Sequence, residues 1–475
     1  MPSNLMTQKL SLFALVMLVT GAIDSIRNLP ATALFGTTLI FFAIFSAIVF
    51  LIPAALVSAE LSATWTDRGG IYHWARLAFG EKTGFLAIWF QWINTMVWYP
   101  TILSFIAATA AYLINPALAE NKFYLVSIIL TVFWAITFIN LKGLHVSAKF
   151  AGVCAVVGML IPMALIIVCG AVWVVMGNPI QVQFTAQNLF PSLSHGANWI
   201  SLTAIMSAFL GMELATVHVK DIENPQKIFP KAMFYSVIII LVTMVAGAMS
   251  IAIVMPNKEI GLVSGVMQAF ESFFNAYHIH WVMPILAVML LVGSIGGMIN
   301  WIISPAKGLM QAAEHGFLPK IFAKQNKHKA ASTMLITQAV LVSVICLAFL
   351  LMPSVNGSYW LLTDLSTQVY MLMYVLMFIA AIIMRHRHPN KESTFKVPGG
   401  KYSMLVTGLL GLFGCVVTLI VGFFPPDGVD VGGTLHYEIV FSGGLIAMIL
   451  PVIAFYAYYY TKGLAAPASR VSSKI

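Results

Sequence analysis

Apolar residues run along this chain in long continuous stretches, broken by short polar connections. The stretches fall near residues 10–31, 36–62, 83–113, 122–141, 146–176, 196–218, 232–255, 281–304, 332–352, 359–384, 403–424 and 437–460. Each is about the 20 residues that a helix needs to cross a bilayer, and none alternates with the two-residue period of a barrel strand. The pattern predicts an all-α polytopic membrane protein with about twelve transmembrane helices, filling the chain as a single transmembrane unit. A single Lys9 precedes the first stretch, which is too long for the apolar core of a cleaved leader, so it is expected to stay as a span.

Composition agrees with that reading. Of 475 residues, 60% are hydrophobic and 9% charged, against about 25% charged in a soluble domain. That excludes a large soluble enzyme and a disordered chain. Cys154, Cys169, Cys346 and Cys415 all lie within apolar stretches, where they are expected to pack as small residues; neither a disulfide framework nor a metal signature is present.

The net charge of +9 is explained by its placement. With a cytoplasmic N-terminus, 22 of the 25 basic residues fall in cytoplasmic segments; only Lys122 and Lys258 lie outside, and Arg27 lies within the first span. This positive-inside asymmetry puts both termini in the cytoplasm and marks a topology signal, not a nucleic-acid surface.

Two spans are interrupted. The first carries Gly21, Ala22, Ile23, Asp24, Ser25, Ile26, Arg27, Asn28, Leu29 and Pro30; the sixth carries Phe209, Leu210, Gly211, Met212 and Glu213. They begin two blocks of five spans that enter the membrane from opposite sides. Corresponding interruptions of that kind point to an inverted repeat, residues 10–176 and 196–384, whose broken helices form a midplane site. The spans within 403–460 are then accessory, and 461–475 form a short cytoplasmic tail.

Ionisable residues inside a membrane are functional candidates by default. Asp24, Arg27, Glu213 and Asp364 qualify, whereas Glu60 and His218 sit near cytoplasmic ends, where a structural role is expected. Asp24 and Arg27 are three residues apart and on a helix can pair with each other. Alternatively, a zwitterionic ligand completes the arrangement, its ammonium on Asp24 and its carboxylate on Arg27. Glu213 is a candidate for proton sensing or coupling, or a structural carboxyl bonded between helices. Trp301 follows the small-residue run Gly293, Ser294, Gly296 and Gly297, where its ring can close over a ligand or simply pack. Trp89, Trp92, Trp98 and Tyr99, and the Tyr370–Tyr374 stripe, read from spacing as packing. No phosphate-binding loop or nucleophilic constellation is present, so ATP-driven transport and catalysis on this chain are not expected. His278 and His280 read as solvated, and Asn356-Gly357-Ser358 is a weak glycosylation match.

An ordered set of short motifs carries a resemblance. It comprises Ala59-Glu60-Leu61, Gly69-Gly70-Ile71-Tyr72, Gly80 with Gly84-Phe85, Phe209 with Gly211 and Glu213, Glu223-Asn224-Pro225 and Pro230 with Ala232. Further stretches are Thr216-Val217-His218, Ser264-Gly265-Val266-Met267-Gln268, Trp301 to Pro305, Thr394 to Lys401, and Phe424-Pro425-Pro426-Asp427. In order and spacing the chain resembles the amino acid–polyamine–organocation (APC) superfamily, and within it the bacterial glutamate/GABA antiporters of acid resistance. The resemblance implies a LeuT-like fold of five plus five inverted helices, broken helices 1 and 6, and two accessory helices. It further implies a secondary transporter, not an enzyme, in the bacterial inner membrane, exchanging an amino acid such as glutamate for GABA or a related amine by alternating access. A proton-coupled importer is the alternative, and a channel is a more distant one. No cofactor is implied; the partners are amino acid substrates, protons and lipid, as a monomer or homodimer.

By the same resemblance, Gly21, Ala22, Ile23, Asp24, Ser25, Arg27, Phe209 and Gly211 surround the substrate. Trp301 closes over it, Tyr370 and Tyr374 line its path, and Glu213 serves pH response or coupling. Two departures stand out. The Gly-Ser-Gly-type run of the first span is replaced by Asp24-Ser25-Ile26-Arg27-Asn28, which those antiporters also lack. The stretch beyond Tyr460 is expected to be too short for the long tail that plugs their inward path.

Overall fold

The computed structural model describes residues 11–65, 70–143, 153–154, 156–191, 199–214, 224–314, 316–328, 330–393 and 395–461. Gly69, Thr216, His218, Glu223, Thr394 and the tail from 462 lie outside the described residues, as do the side chains of Ala22 and Trp301. Within the described residues every regular element is helical. Among the described residues nine helices are long and apolar enough to cross a membrane, and Leu202–Leu214 and His280–Gly296 are shorter apolar helices. The third expected span, Glu81–Ala111, is a 31-residue helix whose Gln91, Asn94, Thr95, Thr101 and Ser104 dilute its apolar character. Twelve spans thus follow the hydropathy pattern.

Two spans widen to a π-helical turn just before a proline. Proline lacks an N–H, and its ring collides with the carbonyl four residues earlier. Pro53 follows a π-helical turn at Ala47–Leu51, and Pro162 follows another at Val156–Leu160. The wider turn relieves the clash in each case.

The first span is broken as the sequence indicates. Helix Leu12–Ile23 ends where Asp24 and Ser25 adopt extended backbone; a 3-10 turn at Ile26–Asn28 follows, then Leu29–Ala33 with Pro30 in its first turn. In the sixth, Ser201–Ala208 stops at Phe209. Gly211 there has φ +111°, a conformation that glycine alone adopts without strain. A short 3-10 turn covers 212–214.

Close helix approaches surround these breaks. A Cβ built on Gly158 of the fifth span would lie 2.2 Å from the Cα of Gly293 in the eighth. The small residues of the eighth span therefore let two backbones touch, the usual use of glycine in membrane helices. The long helix Pro225–Val254 packs along the first span, with Gly247 against Leu29. In the eleventh span, Gly408 and Gly411 face Ile382 and Phe378 of the tenth, while Gly414 meets the Val49 carbonyl of the second. The four cysteines are free and buried, as expected.

Candidate functional site

The two breaks lie close together. A Cβ on Gly211 would lie 3.5 Å from Cγ1 of Ile23, so the end of the first half-helix packs beside the break of the sixth span. Around them the structure arranges three polar groups.

The first is Glu213. Its Oε1 accepts a hydrogen bond from the Tyr370 hydroxyl and its Oε2 one from the Tyr374 hydroxyl. The Gly211 N–H, freed by the break, donates to the Tyr374 hydroxyl oxygen at 3.0 Å. The two tyrosine rings meet edge to face at 5.4 Å, and Phe50 of the second span packs on Tyr374 at 4.8 Å. Glu213, Tyr370, Tyr374 and Phe209 are all buried.

The second is Asp24. Its N–H closes the first half-helix onto the Thr20 carbonyl at 2.7 Å, and its Oδ2 accepts from the Thr243 hydroxyl at 2.6 Å. Thr243 belongs to the seventh span, so this carboxyl is aimed away from Arg27.

The third is Arg27, also buried. Its Nε donates to Ser25 Oγ at 3.3 Å and its Nη1 to Thr101 Oγ1 at 2.9 Å. The guanidinium carbon lies 4.6 Å from the centroid of the Trp98 ring, within cation–π range. The Tyr359 hydroxyl donates to the Arg27 carbonyl at 3.4 Å. The direct Asp24–Arg27 pair that the spacing allowed is therefore not formed: the break turns the two side chains toward different helices.

Glu213, Tyr370 and Tyr374 thus gather at the sixth-span break with Gly211, and Ile23 lies beside it, whereas Asp24 turns to the seventh span and Arg27 to the third. Gly21 sits on the last turn of the first half-helix, with open space where a side chain would be. The side chains of Ala22 and Trp301 lie outside the described residues. The tyrosine stripe is not plain packing, since both hydroxyls bind Glu213. Trp98, read from spacing as belt or packing, is the platform of Arg27. Thr101 and Thr243 had no signal in the sequence beyond being polar inside apolar spans.

The other two buried carboxyls are structural. Asp364 accepts from Gln368 Nε2 at 3.0 Å and from the Tyr437 hydroxyl, tying the tenth span to the twelfth. Glu60 pairs with Arg385 and accepts from the Val397 N–H at 2.6 Å. Although it sits near a span end, its side chain is 2% exposed, so partners in the protein replace the hydration expected there.

Comparison with known proteins is consistent along the whole chain. The amino acid permease family model matches residues 10–447. An uncharacterized transporter of Legionella pneumophila is 42% identical over 440 residues, 93% of this chain and 95% of the relative. A glutamate/gamma-aminobutyrate antiporter of Lactococcus lactis is 28% identical over 456 residues, 94% and 90% of the two chains. A putrescine transporter of Escherichia coli is 23% identical over 363 residues, 74% and 80%.

Proposed function

The chain belongs to the amino acid permease family, a family of transporters and not of enzymes, and from that premise we propose that it is a secondary antiporter. It exchanges an amino acid, such as glutamate, for GABA or a related amino acid or amine by alternating access across the bacterial inner membrane. The positive-inside pattern puts both termini in the cytoplasm. Residues 10–176 and 196–384 are the inverted five-helix repeats, and the helices within 403–460 are accessory.

One observation carries this reading: Ile23, at the end of the first half-helix, lies beside Gly211 of the sixth-span break, and a buried carboxyl, Glu213, is held there by two tyrosines. Broken helices expose backbone donors and acceptors that are tolerable in a membrane only where protein, water or a ligand satisfies them. A substrate bound at the meeting point completes that set, and its departure requires the tyrosines and Glu213 to rearrange. In this scheme Asp24 receives the substrate ammonium, and Trp301 closes over it. Glu213 links occupancy to protonation. The antiporter similarity of the Lactococcus relative supports exchange over one-way uptake.

Counterflow tests it. Proteoliposomes preloaded with GABA are expected to accelerate uptake of labelled glutamate well beyond empty vesicles. Uptake that needs only an imposed proton gradient and ignores the internal load would replace the antiporter with a proton-coupled importer. Flux that does not saturate would make the protein a channel.

A further inference from the structure

Among the described residues Arg27 has no counter-charge. Guanidinium stays ionised at any physiological pH, and an unpaired charge removed from water is strongly unfavourable. Among the described residues Arg27 forms no ion pair; its contacts are two hydroxyls and the face of an indole. Those contacts hold the fork in place without neutralising it. Nε is engaged by Ser25 and Nη1 by Thr101, which leaves the Nη2 edge of the fork to bond something else. The Tyr359 hydroxyl on the Arg27 carbonyl fixes the backbone from the tenth span as well.

Such a group is a preorganised receptor for an anion, and a planar fork matches a carboxylate in a two-point geometry. Arg27 stands four residues beyond Ile23, which touches the sixth-span break at Gly211. We propose that Arg27, stacked on Trp98 and braced by Thr101, binds a substrate carboxylate and so restricts this transporter to carboxylate-bearing amino acids, excluding diamines. This rests on the exchanger reading and specifies its substrate class. The exclusion follows from the same charge. A diamine brings two cations and no anion into a low-dielectric site holding an uncompensated guanidinium, whereas an amino acid brings the missing negative charge. The two relatives named for a substrate fall on either side of that distinction, one for glutamate and gamma-aminobutyrate, the other for putrescine.

The experiment uses the full chain, as wild type, Arg27→Gln and Arg27→Lys, with labelled glutamate, GABA and putrescine in counterflow. The same three compounds are added to detergent-purified protein while its thermal unfolding is followed. Wild type is expected to exchange and be stabilised by glutamate or GABA and to ignore putrescine. Loss of a charge-assisted bond predicts a rise in KM for the carboxylate substrates of about ten- to a hundredfold in Arg27→Gln. Arg27→Lys should fall between, since it keeps the charge and loses the fork. Wild-type exchange of putrescine as readily as glutamate would overturn the inference while leaving an exchanger. So would an unchanged KM in Arg27→Gln. If wild type exchanges nothing but glutamate stabilises it and not Arg27→Gln, the carboxylate site stands and the exchanger reading fails. Should Arg27→Gln not fold, the wild-type panel and Arg27→Lys decide.

Discussion

The Tyr374 hydroxyl accepts the Gly211 N–H at 3.0 Å and donates to Glu213. One phenol thereby satisfies a backbone donor released by the break and one oxygen of the only carboxyl in the sixth span. Among the described residues the Tyr370 hydroxyl bonds only Glu213. The two tyrosines are therefore not equivalent, although they lie one helical turn apart on the same face. Removing the Tyr374 hydroxyl leaves two buried groups short of a partner, at about 1–3 kcal/mol for each such group. Tyr374→Phe is expected to lower thermal stability and slow exchange more than Tyr370→Phe. Equal effects of the two substitutions, measured by unfolding and counterflow on the same preparations, would mean that the Gly211 bond contributes nothing.

Glu213→Gln preserves the shape of this cluster while removing its proton chemistry. The amide oxygen still accepts from one tyrosine, and the other hydroxyl can turn to accept from the amide nitrogen. Folding and expression should persist, and the dependence of exchange rate on pH from about 5 to 8 should flatten. A profile of unchanged shape would remove Glu213 from coupling and leave it a structural carboxyl.

At Asp24, the Thr243 bond at 2.6 Å orients the carboxyl. Asp24→Asn keeps an acceptor for that hydroxyl and removes the negative charge offered to an ammonium. Loss of a charged partner predicts weaker binding of amine-bearing substrates by about tenfold or more, with KM rising ahead of any fall in expression. An unaltered KM for every substrate tested would assign Asp24 to helix architecture.

Much of this arrangement was legible in the residues themselves. Continuous apolar runs mark the spans because a helix crossing a bilayer must offer apolar side chains to the hydrocarbon along about 20 residues, and glycine, proline and charge inside two of them mark the breaks. Partnerships across the bundle were not legible. Asp24 and Arg27 are close along the chain, so local spacing favours pairing them. Extended backbone at Asp24 and Ser25 instead sends one to Thr243 and the other to Thr101, residues 219 and 74 positions away. Trp98 and Tyr370 looked like packing because spacing reports a face of a helix and not what lies opposite it. The glycines before Trp301 looked like room for a ligand, and Gly293 turned out to be room for the fifth span.

That contact predicts a sharp steric effect. A Cβ on Gly293 would approach the Cα of Gly158 to 2.3 Å and the Cys154 carbonyl to 2.9 Å. Backbone cannot move aside as a side chain can, so Gly293→Ala must separate the fifth and eighth spans. Overpacking of this kind costs about 1–3 kcal/mol. The variant should unfold at lower temperature than wild type in detergent, whereas Gly443→Ala, with open space at the same position, should not. Equal unfolding temperatures for the two variants would contradict the close approach.

The pair formed by Glu60 and Arg385 makes the remaining prediction, because its members are unequally buried. The Glu60 side chain is 2% exposed and that of Arg385 18%. Glu60 also holds the Val397 N–H at 2.6 Å, Thr64 bonds Ser393 at 2.7 Å, and Arg387 reaches the Ala78 carbonyl at 2.9 Å. Together these strap the end of the tenth span and the segment after it onto the end of the second span and the helix Gly70–Phe79 that follows. Arg385→Gln would leave a buried carboxylate without its cation, a change worth several kcal/mol in comparable buried pairs. Glu60→Gln keeps an acceptor for Val397 and leaves a guanidinium that is more exposed than the carboxylate, so it should be milder. The double variant should then be more stable than Arg385→Gln alone, since neutralising Glu60 removes the group that had been stranded. A thermal-unfolding cycle over the four proteins measures this coupling directly. Strict additivity would mean that the pair contributes no interaction energy of its own, and that the strap is held by its neutral hydrogen bonds.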